Sequence, residues 1–175
     1  MADFNFAFGY MITNEDYAPD DPRYGTIHTD NDGGLVRFGV NSNSMGTMLL
    51  NTTFYTTMPN DGALVIAKNL YNGNEWQSIQ GTAMYSQPIA SKVFDMAVNM
   101  GVKEAAKLCQ RAAGVGADGD IGPLTVAAVN AENETTMMQG LISWWIWFIG
   151  QEIINRPSDQ PYKEAWIARA MRLPD

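Results

Sequence analysis

The sequence predicts an α+β protein that is mostly α, with a small β-hairpin lobe packed on a helical lobe built around a central hydrophobic helix. Three observations carry this expectation. From residue 89 onward, apolar side chains recur at helical spacing with only short breaks. Near the N-terminus, two short apolar runs flank the polar, glycine-containing stretch 29–34, the pattern of a β-hairpin. Between Gln139 and Gln151 lies LISWWIWFIG, which is apolar all round, as a helix buried on every side should be.

Taken in order, residues 3–12 are the first predicted helix, since Phe4, Phe8, Met11 and Ile12 share a face. Residues 16–22 are turn-rich. Residues 24–28 and 35–40 are the hairpin strands, joined through Gly33 and Gly34. The stretch 41–59, rich in Asn, Ser, Thr and Met, carries no readable period. Residues 61–70 are helical, with Ala63, Ile66, Ala67 and Leu70 on one face, and 75–79 make a short helical turn carrying Trp76. A helix from Ile89 has two apolar rows, Ile89-Val93-Ala97 and Ala90-Phe94-Val98, and ends at Gly101, a natural C-cap. Residues 102–113 form another helix stopped by Gly114, and 114–122 a loop. Pro123 opens the next helix in its first turn. Residues 137–155 are the longest helix, closed by Pro157, and 165–171 are the last. The expected division is residues 1–88 and 89–175, packed as one globular unit.

Of 175 residues, 46% are hydrophobic and 17% charged, enough for a buried core and too apolar for a disordered chain. Net charge is −8, and residues 1–88 carry −6 of it, from 3 basic and 9 acidic residues. No basic stripe exists to neutralise phosphates, which argues against nucleic acid as a partner. The apolar segment 141–149 is shorter than the roughly 20 residues of a membrane span. The one cysteine, Cys109, allows no internal disulfide, which suits a reducing compartment. The first residues have no basic n-region and no small-residue cleavage site, so no secretory signal peptide is expected.

The chemistry concentrates in residues 11–40. Glu15 follows the first apolar helix directly, and Asp16, Asp20, Asp21, Asp30 and Asp32 precede the Gly33-Gly34 pair. A carboxylic acid at a rigid helix end, facing a hairpin with a second carboxylate, is what cleavage of a glycosidic bond needs. One group protonates the leaving oxygen, and the other holds water or stabilises the positive sugar. The plain alternative is a solvated acidic loop. Mutual repulsion among these carboxylates is expected to raise some of their pKa values.

Two stretches carry a resemblance. The first is N-E-D-Y at 14–17, an acidic spacer, and D-G-G-L-V-R-F-G-V at 32–40. The second runs from F-D-M-A-V-N-M-G at 94–101, through L-C-Q at 108–110, to A-D-G-D-I-G-P-L-T at 117–125. With R-P-S at 156–158 and A-W-I-A-R at 165–169, they resemble the glycosyl hydrolase 108 N-acetylmuramidases over nearly the whole chain. The resemblance implies a lysozyme-like fold, peptidoglycan glycan strands as partner, and hydrolysis of the β-1,4 bond between N-acetylmuramic acid and N-acetylglucosamine. It implies no metal and no organic cofactor. Residues 1–88 would be the catalytic lobe and 89–175 the peptidoglycan-binding lobe. Glu15 falls on the family's catalytic glutamate and would be the general acid, with Asp30 or Asp32 as second carboxylate. Asp16 and Tyr17 stand where the family has two glycines, and the spacer is longer. Val36 stands where it has a threonine, so Thr26 or Thr29 would have to supply that hydroxyl.

Asp95 and Asn99, one helical turn apart, would border the cleft and bind the sugar's N-acetyl groups, or else satisfy neighbouring backbone. Trp76 and Tyr85 are the candidates for stacking on a sugar ring, whereas Trp144, Trp145 and Trp147 read as core. Asp118 and Asp120 resemble calcium ligands but lack the twelve-residue spacing and terminal glutamate, so a structural turn is expected. His28 has no nucleophile elbow beside it, and Cys109 reads as a core residue. Two other functions remain in view. One is a non-catalytic wall-binding or secretion-associated module, favoured by Asp16 and Val36. The other is a chitin-directed hydrolase. Made in the cytoplasm without a signal peptide, an endolysin-like bacteriolytic enzyme would need a holin or dedicated secretion machinery to reach the wall in the periplasm.

Overall fold

Asp3 sits in extended backbone and its carboxylate accepts the Asn5 N–H, an N-cap from which α1 (Phe4–Glu15) grows. That is the first element of the computed structural model, which describes residues 1–43 and 52–174. Ala7, Phe8, Met11 and Ile12 are its buried face. The helix runs past the expected end at residue 12, and Asp16 closes it by donating its N–H to the Ile12 carbonyl. Glu15 therefore sits inside the last turn rather than after it.

The hairpin is a three-stranded antiparallel sheet in the order β1 (His28–Thr29), β2 (Leu35–Arg37), β3 (Val40–Asn41). Val36 is the shared register point, paired with His28 on one side and Asn41 on the other. Two expectations change here. The run 35–40 is two strands, because Phe38 and Gly39 adopt φ of 52° and 73°. Consecutive left-handed residues make the type I′ turn that reverses a tight hairpin. The strand expected over 24–28 begins only at His28. The Asp16 carboxylate takes the Gly25 N–H at 3.0 Å and Arg37 donates to the Gly25 carbonyl at 3.2 Å, so that backbone is already engaged. Arg37, buried, also donates to the Phe54 carbonyl at 2.7 Å and to Asn60, and so locks the sheet onto residues 54–60. Of the unreadable stretch 41–59, residues 44–51 lie outside the described residues. The chain is described again from a 3₁₀ turn, Thr52–Tyr55.

The remainder is helical. α2 (Asn60–Tyr71) passes into one π turn, Asn72–Trp76, and a 3₁₀ turn covers Gly81–Ala83. Ser86 caps α3 (Gln87–Met100) by accepting the Ile89 N–H at 3.2 Å, and Gly101 ends it at φ 87° as expected. The next three helices are α4 (Val102–Ala112), α5 (Pro123–Ala131) and α6 (Glu134–Asn155). A 3₁₀ segment, Pro157–Tyr162, leads into α7 (Lys163–Met171). One apolar cluster extends from Ala2 to Ala170. Within it α1 packs on α3, α3 on α4 and α6, and α6 on α7. Among the described residues no helix is long and apolar enough to cross a membrane.

α6 is central but not enclosed. Met137, Met138, Leu141, Trp145 and Ile149 form its buried stripe, while Trp147 is 45% exposed and Ile154 70%. Trp144 and Trp147 hold the guanidinium of Arg111, from α4, 5.3 and 5.4 Å from their ring centres, a cation–π contact. Of the three tryptophans expected in the core, Trp145 alone is fully buried.

Candidate active site

Glu15 closes α1 with its side chain 20% exposed. The Phe38–Gly39 turn comes against it from the sheet. A Cβ at Gly39 would lie 2.6 Å from Tyr71 Oη and 3.0 Å from Glu15 Cβ. With φ at 73° as well, only glycine lets the turn, Tyr71 and Glu15 meet. Tyr71, the last residue of α2, donates its hydroxyl to the Phe38 carbonyl at 3.1 Å. Burial, with Glu15 and Glu75 nearby, holds that hydroxyl neutral.

From the other side α7 supplies Arg169. Its Nη2 donates to Glu15 and, at 2.7 Å, to Asp95 Oδ1. Asp95, on α3, is fully buried. The end of α7 is itself fastened. The buried ammonium of Lys92 on α3 donates to the carbonyls of Arg169 at 3.2 Å and Arg172 at 2.8 Å, and Tyr10 Oη donates to the latter at 2.9 Å. Burial pushes Lys92 down to about 8. Three helices thus meet at one polar junction beneath Glu15.

Burial raises the Glu15 pKa above the usual carboxylate range, Arg169 opposes the rise, and Asp95 adds to it. The expected direction holds, but its cause is not repulsion from the hairpin acids. One guanidinium between two carboxylates carries a net charge of −1, and a proton on Glu15 leaves the trio neutral. Glu75, one turn beyond Tyr71 in the π turn, is pushed up to about 7 by burial, and its Oε2 is buried without a hydrogen-bond partner.

Asp30 and Asp32 lie in the β1–β2 turn, exposed, and Asn41 Nδ2 donates to both at 3.1–3.2 Å. Asp32 also accepts the Gly34 N–H at 2.8 Å, and these bonds hold its carboxyl below its ordinary value. That turn is at the end of β2 away from Gly39, about 10 Å along three residues of strand.

Other expected site residues fall elsewhere. Asp95 does not border a cleft: its carboxylate is sealed in the core, because only there can it hold Arg169 dry. Trp76 is 2% exposed, with its ring against Phe4 and Phe94 and its Nε1–H on Thr82, so it offers no face for a sugar. The apolar pocket under α1 claims that ring instead. Tyr85 is 70% exposed but lies beside Ala2, whose N–H donates to the Met84 carbonyl. That is the opposite end of α1 from Glu15, about 18 Å at 1.5 Å per residue. Asn99 is exposed and lines a groove with Asn14, Trp166, Arg169 and Arg172. Val36 is buried at 7%, while Thr26, His28 and Thr29 are exposed. Gln110 bonds Asp118 at 2.7 Å and the Asp120 carbonyl at 3.0 Å, a structural turn, and burial pushes the Cys109 thiol up to about 12. Among the described residues no group of acidic, histidine or cysteine side chains could hold a metal ion. Sequence reasoning assigns no role to Arg169, Tyr71 or Gly39. The A-W-I-A-R match at 165–169 and the glycine of R-F-G-V are the available signals.

Residues 25–101 match the family model described as Glycosyl hydrolase 108, and residues 104–171 the one described as Predicted Peptidoglycan domain. Glu15 precedes the first matched segment. No curated protein sequence matches. Among solved structures, one titled "Structure of Brucella abortus SagA" is 19% identical and covers 96% of this chain and 93% of its own, with a TM-score of 0.68. At that identity the likeness is one of fold, the lysozyme-like α+β arrangement of a small sheet on a helical body. The chain therefore resembles the glycosyl hydrolase 108 family over residues 25–101 and, over residues 104–171, the family described as Predicted Peptidoglycan domain.

Proposed function

We propose that this protein is a peptidoglycan hydrolase of the N-acetylmuramidase type, cleaving the β-1,4 bond between N-acetylmuramic acid and N-acetylglucosamine. The observation that carries the reading is Glu15, a half-buried carboxyl with a raised pKa, held at a helix end by Arg169 and Asp95. Glu15 gives its proton to the glycosidic oxygen as the C1–O bond breaks. A water oxygen then bonds to C1, and its proton passes to a carboxylate. Asp30 or Asp32 is the second carboxylate. Asp32, kept ionised by the Gly34 N–H and Asn41, suits stabilisation of the positive sugar. The 1–88 lobe supplies the acid and the 89–175 lobe the arginine and much of the wall contact, so the halves act as one unit. Tyr85 and Asn99 serve as outlying sugar contacts. Delivery to the wall in the periplasm falls to a holin or a secretion machine.

The test is digestion of purified peptidoglycan, with the new reducing ends reduced by borohydride and identified by mass spectrometry. Muramitol ends are expected. Glu15→Gln should lower the rate at least about a hundredfold with an unchanged circular dichroism spectrum, and Asp16→Asn far less. Wall clearance by Glu15→Gln as fast as the parent would transfer the role to another acid or to the non-catalytic wall-binding reading.

A further inference from the structure

Lys92 is fully buried on α3, one turn before Asp95, and the hydrolytic step does not use it. Its ammonium donates to the Arg172 carbonyl at 2.8 Å, to the Arg169 carbonyl at 3.2 Å and to Tyr10 Oη at 3.4 Å, with the Trp145 ring centre of α6 at 4.7 Å. All three donors of the ammonium are thereby used inside the protein, and none is left for a ligand. The two carbonyls belong to the residues whose side chains reach the end of α1: Arg169 donates to Glu15, and Arg172 to Asn14 at 2.5 Å. A cation suits them, because the last carbonyls of a helix carry its negative pole. Little else fixes this end of α7. Ala170 is the helix's one fully buried side chain, and Trp166 and Ile167 are only partly buried.

We infer that Lys92 is a positioning residue for the acid: by holding the carbonyls of Arg169 and Arg172 it fixes Arg169 against Glu15, and so sets the pH range over which Glu15 keeps its proton. This rests on the reading of Glu15 as the acid of a muramidase. The charged and titratable groups facing the ammonium are Asp95 on its own helix, Tyr10 on α1, and Arg169 and Arg172 on α7. Burial lowers its pKa to about 8, Asp95 opposes the fall, and the two arginines add to it, so the ammonium is charged at neutral pH. Without that charge the two carbonyls lose their donor and turn toward water, and Arg169 moves with them. Arg169 opposes the burial that raises Glu15, and Asp95 adds to the rise. A loosened Arg169 and an Asp95 stripped of its neighbouring cations act in the same direction, and Glu15 keeps its proton to higher pH. The displaced acid also works more slowly, since a shift of about 1 Å at a reacting group can cost on the order of a hundredfold in rate.

Lys92→Met keeps the apolar stem and removes the charge. Carbon NMR of the Glu15 carboxyl follows its proton with no substrate present, and kcat and KM are measured separately on purified peptidoglycan. The Glu15 titration should move up by about one pH unit. The kcat should fall about tenfold or more with KM unchanged, because Lys92 has no donor free for a ligand. Lys92→Arg, which restores a cation, should recover part of both. Tyr10→Phe keeps the ring and removes the hydroxyl that donates to the Arg172 carbonyl, so a smaller shift of the same sign is expected. That variant decides the matter if Lys92→Met does not fold. An unmoved or lowered Glu15 titration overturns the inference and leaves Lys92 a packing residue, and so does a raised KM with unchanged kcat. A titration that moves up in a chain whose parent cleaves no wall removes the muramidase reading and leaves the coupling of Lys92 to Glu15 standing.

Discussion

Arg169 donates to Glu15 across 154 residues of sequence, and the same nitrogen donates to Asp95. Asp95 thereby limits how fully the guanidinium stabilises ionised Glu15, and its own negative charge raises the Glu15 pKa. Asp95→Asn removes both effects. Glu15 then loses its proton at lower pH, and the alkaline fall in kcat/KM should move to lower pH, with the rate at neutral pH reduced. A pH–rate profile checks this, and an unmoved alkaline limb would mean that Asp95 has no influence on Glu15. Arg169→Gln should behave differently, because it strands Asp95 in the core. Loss of one partner of a buried ion pair costs about 3–5 kcal/mol, which denaturant unfolding would read.

Gly39→Ala tests the contact between sheet and acid. The new methyl would meet Tyr71 Oη at 2.6 Å and Glu15 Cβ at 3.0 Å, at a φ that alanine disfavours. A cost of about 1–3 kcal/mol is expected, together with a fall in activity as Glu15 is displaced. Activity equal to the parent's would show that Glu15 does not depend on the turn.

Val36→Thr introduces the hydroxyl that the family resemblance implies, but at a position 7% exposed and flanked by His28 and Asn41. The expected result is a loss of about 1–2 kcal/mol for a poorly partnered buried hydroxyl and no gain in lytic rate. A faster enzyme of unchanged stability would put that side chain in contact with substrate.

Glu75 gives stability its own pH dependence. Its carboxyl is raised from 4.5 to about 7 in the folded chain. Between those values the folded state binds the proton more tightly than the unfolded state does. The stabilisation is therefore fully present below about pH 4.5 and is lost as pH rises through 7. Glu75→Gln should raise stability at pH 8 by about 1–3 kcal/mol, from 1.36 kcal/mol per unit less some screening by water, and leave stability at pH 4 nearly unchanged. Equal effects at both pH values would remove the titration of Glu75 as the cause.

Much of this protein is determined locally and is legible in the chain. Gly101 and Pro123 mark helix ends because a cap depends on residues within one turn of it. The apolar rows of α1 and α3 follow from a 3.6-residue period, but that period stops at Ile12 and does not announce that the helix carries Glu15 in its last turn. The reversal at Phe38–Gly39 escapes such a reading, since nothing in an apolar run announces a left-handed phenylalanine. Tertiary structure alone decided which polar groups meet. Whether Asp95 faces a cleft or the core, and whether Trp76 offers a ring or buries it, depends on which helix lies opposite. Arg169 reaches Glu15 because Lys92 and Tyr10 fasten the end of α7 to α3 and α1. Burial and charge pairing are properties of facing surfaces drawn from distant parts of the chain, and no period within either surface encodes the other.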